Sequence, residues 1–154
     1  MKKIFNIFAV LLLFTLLCGC PYESPYPIDK PKLKTPPALL GNWRSADKKV
    51  VYGLTRLDDY NFKVVVNEDG ADKDTYKGYT SSIDNITFVN LNKEGTTTYL
   101  LFKIEFKDDK TLALSPVTEY IREKFNSSYE LKAFVAANMS NSYFYGETGI
   151  LSKE

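Results

Sequence analysis

The 154-residue chain contains no histidine. That removes the commonest general base and the commonest metal ligand together. Its only cysteines are Cys18 and Cys20, both near the N-terminus. Beyond them no thiolate nucleophile, internal disulfide or cysteine-rich zinc site is available. Net charge is scarce too, with 20 basic residues against 19 acidic ones. Such a balance offers no concentrated basic face, so no nucleic-acid partner is expected. No spacing marks a pair of catalytic carboxylates, and Ser115-Pro116 and Ser127-Ser128 read as caps rather than nucleophiles. Asn67, Asp69, Asp72 and Asp74 crowd around Gly70. In a calcium-loop register, however, Val65 and Tyr76 occupy the first and last ligand positions, so a solvated hairpin turn is expected there. No enzyme, cofactor or metal follows from these residues.

What is present begins with a leader. Met1-Lys2-Lys3 is positive, and Ile4 to Leu17 is an apolar stretch of 14 residues broken by Asn6 and Thr15. A spanning helix needs about 20 apolar residues, whereas a secretory leader needs fewer. Leu17-Cys18-Gly19-Cys20 resembles the bacterial lipobox, with an aliphatic residue at −3 and a small one at −1; Cys18 at −2 is its one departure. The resemblance implies that residues 1–19 are a lipoprotein signal peptide. It also implies that Cys20 carries a thioether-linked diacylglyceryl group and an amide-linked acyl chain. The membrane is then a partner through Cys20, and the protein is expected in the cell envelope, at the outer membrane. Losing Lys2 and Lys3 leaves 18 basic residues against 19 acidic ones, a formal charge of −1.

Six of the seven prolines fall between Pro21 and Pro37. That density disfavours helix and interior strand and favours extended chain. Residues 20–38 are therefore expected to be a semi-rigid tether reaching roughly 50 Å from the bilayer. Tyr22 and Tyr26 would be incidental to it.

From Leu39 the pattern changes, and residues 39–154 are expected to form the folded domain, with 44% hydrophobic and 14% aromatic residues in the chain to supply a core. Tyr60, Phe62, Val64 and Val66 alternate with Asn61, Lys63 and Val65. Leu100, Phe102, Ile104 and Phe106 alternate with Leu101, Lys103 and Glu105. Each run predicts a strand with one buried face. Shorter runs at 50–57, 75–80, 86–91 and 111–114 predict further strands, separated by Asp-, Asn- and Gly-rich turns. The expected fold is mainly β: an antiparallel meander closing into a barrel or a curled sheet. Near the C-terminus, Ser127-Ser128-Tyr129-Glu130 matches a capping box. Leu131, Phe134, Val135 and Met139 make the stripe of a helix ending near Asn141. A second, shorter helical piece is expected over 118–125, and a closing strand or hairpin around Gly146.

Gly41-Asn42-Trp43 resembles the Gly-x-Trp entry of lipocalin-like barrels. With the lipidated cysteine and the meander, the chain resembles small lipocalin-like lipoproteins of Gram-negative bacteria. The chain has no Thr-Asp-Tyr motif and no late arginine to partner Trp43. The resemblance implies a barrel holding a small apolar or amphipathic ligand, with Trp43 at its closed end. Tyr60, Phe62, Val64, Phe102 and Ile104 would line the interior. The alternative is an interaction or structural lipoprotein whose barrel is filled by its own side chains and whose partner is an envelope protein.

Overall fold

The computed structural model describes residues 22–118 and 121–154; the leader and Cys20 lie outside the described residues. Strands follow the alternating segments: β1 (Glu23–Ser24), β2 (Gly41–Ser45), β3 (Val50–Arg56), β4 (Asn61–Glu68), β5 (Ala71–Ile83), β6 (Ile86–Lys93), β7 (Tyr99–Asp108), β8 (Thr111–Pro116) and β9 (Gly149–Lys153). From β2 to β8 each strand pairs antiparallel with the next, and β9 then inserts between β8 and β2. The result is a closed antiparallel barrel of eight strands, with β1 added to β7. The β4–β5 turn places Asp69 and Gly70 at φ 51° and 84°, the hairpin geometry their residue types favour.

Period-two alternation separates two cores. On β6, Val89 joins the interior with Trp43, Phe62, Val64 and Ile104. Its neighbour Phe88 points outward, into a second core with Leu101, Leu131, Val135 and Phe144. That outer core is covered by the excursion between β8 and β9, which carries α1 (Ser128–Asn138). Ser127 caps α1, its hydroxyl accepting from the Glu130 N–H at 3.2 Å. The Glu130 carboxylate accepts from the Asn126 N–H at 2.9 Å, one residue earlier than a standard capping box would place it. The helix ends at Asn138, short of the expected Asn141.

Two expectations need correction. The described residues of the supposed second helix, Thr118 and 121–125, are not helical. Ile121 and Phe125 still pack against the outer core, but from chain without regular secondary structure; Tyr120 lies outside the described residues. The larger correction concerns the tether. Its described residues are not a free spacer but lie along the barrel wall. Glu23 and Ser24 pair with Leu100 and Tyr99 of β7. Ile28 has no exposed surface, and its N–H donates to the side-chain oxygen of Asn90 at 2.8 Å. The Tyr79 hydroxyl donates to the Asp29 carbonyl at 2.9 Å. The prolines disfavour a regular α-helix, yet extended chain can dock as well as dangle.

Asp29 fastens this segment to α1 through Lys132 at 2.9 Å, and to Lys32 at 3.0 Å. Burial pushes its carboxyl up, but hydrogen bonds from Lys132, Lys32 and the Lys30 N–H outweigh that and lower its pKa from 3.8 to about 2. A depressed folded-state pKa contributes stability above the unfolded value, and this is lost as pH falls toward the folded one. Asp29→Asn is therefore expected to lower the unfolding midpoint at neutral pH. The gap from the parent should close as pH falls from about 4 to about 2. Thermal melts across that range check it.

Candidate functional site

Trp43 forms the floor of the barrel. Gly41 enters β2 at φ 116°, a region side chains with a Cβ avoid, which explains the glycine of the Gly-x-Trp triplet. The indole N–H then donates to the Leu39 carbonyl at 2.8 Å, tying the floor to the short helical turn Pro37–Leu39. The late cation missing as an arginine is supplied by a lysine. Lys153 Nζ stands 5.2 Å above the Trp43 ring and donates to the Ala38 carbonyl at 2.7 Å. Phe106 packs against the indole at 6.2 Å between ring centres.

Above this floor lies a cavity of about 270 Å³. Its deep wall is buried: Phe62, Val64, Val89, Ile104, Leu112 and Leu151. Its upper wall is half-buried: Tyr52, Val66, Leu91, Leu100 and Phe102. The gradient defines one closed and one open end. The mouth lies where β7 starts and β4, β6 and β8 finish.

Five of the six residues singled out from the sequence for the interior line this cavity: Trp43, Phe62, Val64, Phe102 and Ile104. Tyr60 does not, and is corrected here. It is 41% exposed and precedes β4, in a turn where the Asp58 carboxylate accepts from the N–H groups of Tyr60 and Asn61 at 2.8 Å. The turn breaks the alternation one residue before the strand begins. On β7 the faces are as expected. Lys103 lies outside, its Nζ 5.1 Å over the Tyr145 ring, and Glu105 pairs with Lys107 at the surface.

Sequence reasoning missed the polar rim. Asp74, on β5, reaches the cavity mouth, paired with Lys93 and accepting a long 3.5 Å hydrogen bond from the Tyr76 hydroxyl. Burial and then the Asp74 charge raise the Tyr76 pKa; burial, Asp47 and Glu68 raise that of Tyr52. Both phenols stay neutral donors at physiological pH. The register of β4 with β5 sets Val64 opposite Tyr76, and propagating the Phe62–Val64 face across the hairpin would have found Tyr76.

Gly78 belongs to the same wall. A Cβ there would stand 2.6 Å from Phe62 Cε2 and 2.7 Å from Leu91 Cδ2. Both side chains line the cavity, so the free space open to them is the cavity itself.

The chain matches no protein-family model, no curated protein and no solved structure. Its own geometry defines the class: a closed eight-stranded antiparallel barrel, capped at one end, with an apolar cup opening at the other. That architecture is consistent with a lipocalin-like fold. Among the described residues, no helix is long and apolar enough to cross a membrane.

Proposed function

We propose that this chain is a lipocalin-like bacterial lipoprotein, cut before Cys20 and lipid-anchored in the cell envelope at the outer membrane. Its role is non-enzymatic: the barrel holds a small apolar or amphipathic molecule. The observation that carries the reading is the cavity of about 270 Å³ with an apolar wall and a polar rim. A dry apolar cavity of about 150 Å³ takes benzene, so by proportion this one takes roughly ten non-hydrogen atoms, or the end of a longer molecule. Tyr52 and Tyr76 supply neutral donors where the polar end of such a ligand would lie. Mass spectrometry of small molecules released from protein purified out of its native envelope tests the reading. One compound of this class in near-stoichiometric amount is expected; protein that releases none speaks against it.

The anchor has its own test. Cys20→Ser is expected to abolish incorporation of an acyl-chain analogue during metabolic labelling and to release the protein from membranes. Label persisting on that variant would contradict the assignment.

The second reading, an interaction lipoprotein with a filled core, has two observations in its favour. The cavity falls just below the usual lower bound of about 300 Å³ for ligand pockets. Tyr129 and Tyr143, on the outer layer, are 82% and 77% exposed. An empty cup together with a co-purifying envelope protein would favour it.

A further inference from the structure

We propose that the outer wall of the barrel carries a second site, a groove between the docked proline-rich segment and the sheet that binds a sugar bearing an anionic group. The groove, about 370 Å³, is lined by Pro27, Lys30 and Pro31 of that segment and by Lys77, Asn92 and Tyr99 of the sheet, with Asn61 and Tyr79 beside them. It is separate from the cup. Tyr76, Leu91 and Leu100 line the cup, so period-two alternation turns their neighbours Lys77, Asn92 and Tyr99 outward. The inference therefore needs neither a ligand in the cup nor lipid on Cys20.

Strand register makes one end of the groove cationic. Lys77 stands directly opposite Lys63 across β4 and β5, and Asn92 and Tyr99 follow in the same row. Like charges so placed repel. Among the described residues Lys30, Lys63 and Lys77 enter no ion pair. No carboxylate lines the groove. The acids around it are committed elsewhere: Asp29 to Lys32 and Lys132, and Asp59 to Lys34. Hydrogen bonds from the Tyr60 N–H, the Asn61 side chain and the Asn61 N–H hold the Asp58 carboxyl below its ordinary range, and Lys77 contributes least to that. Glu23, in register with Leu100 just past Tyr99, accepts from the Thr98 hydroxyl at 3.2 Å. An anion is thus drawn to the Lys30 and Lys77 end, where charge-assisted hydrogen bonds can hold it.

The rest of the lining calls for hydroxyl groups. Asn92 Nδ2 donates to the Thr96 and Thr98 carbonyls at 3.1 and 2.8 Å, and its oxygen accepts no hydrogen bond from the described residues. Asn61 Nδ2 is spent on Asp58, and its buried oxygen has no donor. Tyr99 and the two prolines offer apolar faces to the C–H groups of a sugar ring. At the packing that puts benzene in about 150 Å³, the groove takes about fifteen non-hydrogen atoms, the size of one hexuronic acid or hexose phosphate.

Amide NMR of the mature chain, titrated separately with glucuronic acid, glucose and acetate, tests this. Glucuronic acid is expected to give a saturable shift of the Lys77, Asn92 and Tyr99 amides, with an affinity about tenfold or more above either smaller probe. In Lys30→Gln/Lys77→Gln that affinity should fall by about tenfold or more. Both lysines are exposed, so the variant should melt at the parent's temperature or above it, as Lys63 loses a repelling neighbour. Acetate binding as well as glucuronic acid would mean attraction to surface lysines only and overturns the site. So does an absence of saturable shifts, or unchanged binding in the folded variant.

Discussion

A chain that starts at Thr35 is expected to lose its cooperative unfolding transition, whereas one that starts at Pro21 keeps it. Removing the intervening residues strips Ile28 from the outer core and lifts Tyr22 and Tyr26 off it. The outward faces of Phe88 and Leu101, now without exposed surface or nearly so, meet water. Each large apolar side chain returned to water costs about 1.5–3 kcal/mol. Several such losses approach the whole stability of a small domain, about 5–15 kcal/mol. The Asp29–Lys132 tie to α1 and the Asn90 contact go as well. Ile28→Ala isolates one part of this and is expected to cost about 2–5 kcal/mol. Urea titrations followed by circular dichroism check both. A truncated chain melting at the parent's midpoint would mean that the segment is the free spacer its prolines suggest.

Trp43→Ala is the point change with the largest expected effect. The indole is fully buried, and its removal leaves the Leu39 carbonyl unpaired and Lys153 without its aromatic partner. Replacing a buried tryptophan by alanine costs about 3–5 kcal/mol. In a domain of this size the melting temperature should fall by roughly 10–20 °C. Trp43→Phe should lose less, because most of the packing survives while the indole hydrogen bond goes. Calorimetry of both variants distinguishes loss of the floor from loss of one hydrogen bond. A fall of only a few degrees for alanine would show that the floor is held by Leu39 and Phe106 without the indole.

How far the sequence disclosed this molecule depended on whether a segment's packing leaves a period. Phe62 and Val64 in β4, and Phe102 and Ile104 in β7, alternate against charged neighbours, so the inner face could be read directly. The sequence marks β5 only over 75–80, although the strand runs from Ala71 to Ile83. Its inward positions include Gly78, and its buried Thr80 and Ser81 are small and polar, so no apolar rhythm marks the strand. Ile28 is a lone apolar residue among prolines, and one residue has no period. Ile121 and Phe125 have helical spacing, but contact with the outer core is met from chain without regular secondary structure. The floor was legible through Gly41 and Trp43. The lysine above it was not, because Lys153 comes near Trp43 only through the pairing of β9 with β2.

Trp43 is the only tryptophan in the chain and sits at the base of the cup, so its emission reports directly on what enters. The most direct measurement is a titration of the folded domain with decanol, an amphipathic molecule of about the size the cup admits. The expected result is a saturable, one-site change in Trp43 emission in the parent. In Gly78→Ala, where Phe62 and Leu91 are pushed into the cup, binding should be weaker by about tenfold or more, the scale of one methyl group in an apolar pocket. No saturable change up to the solubility of the alcohol, or equal binding by the folded Gly78→Ala variant, would contradict a ligand-holding barrel.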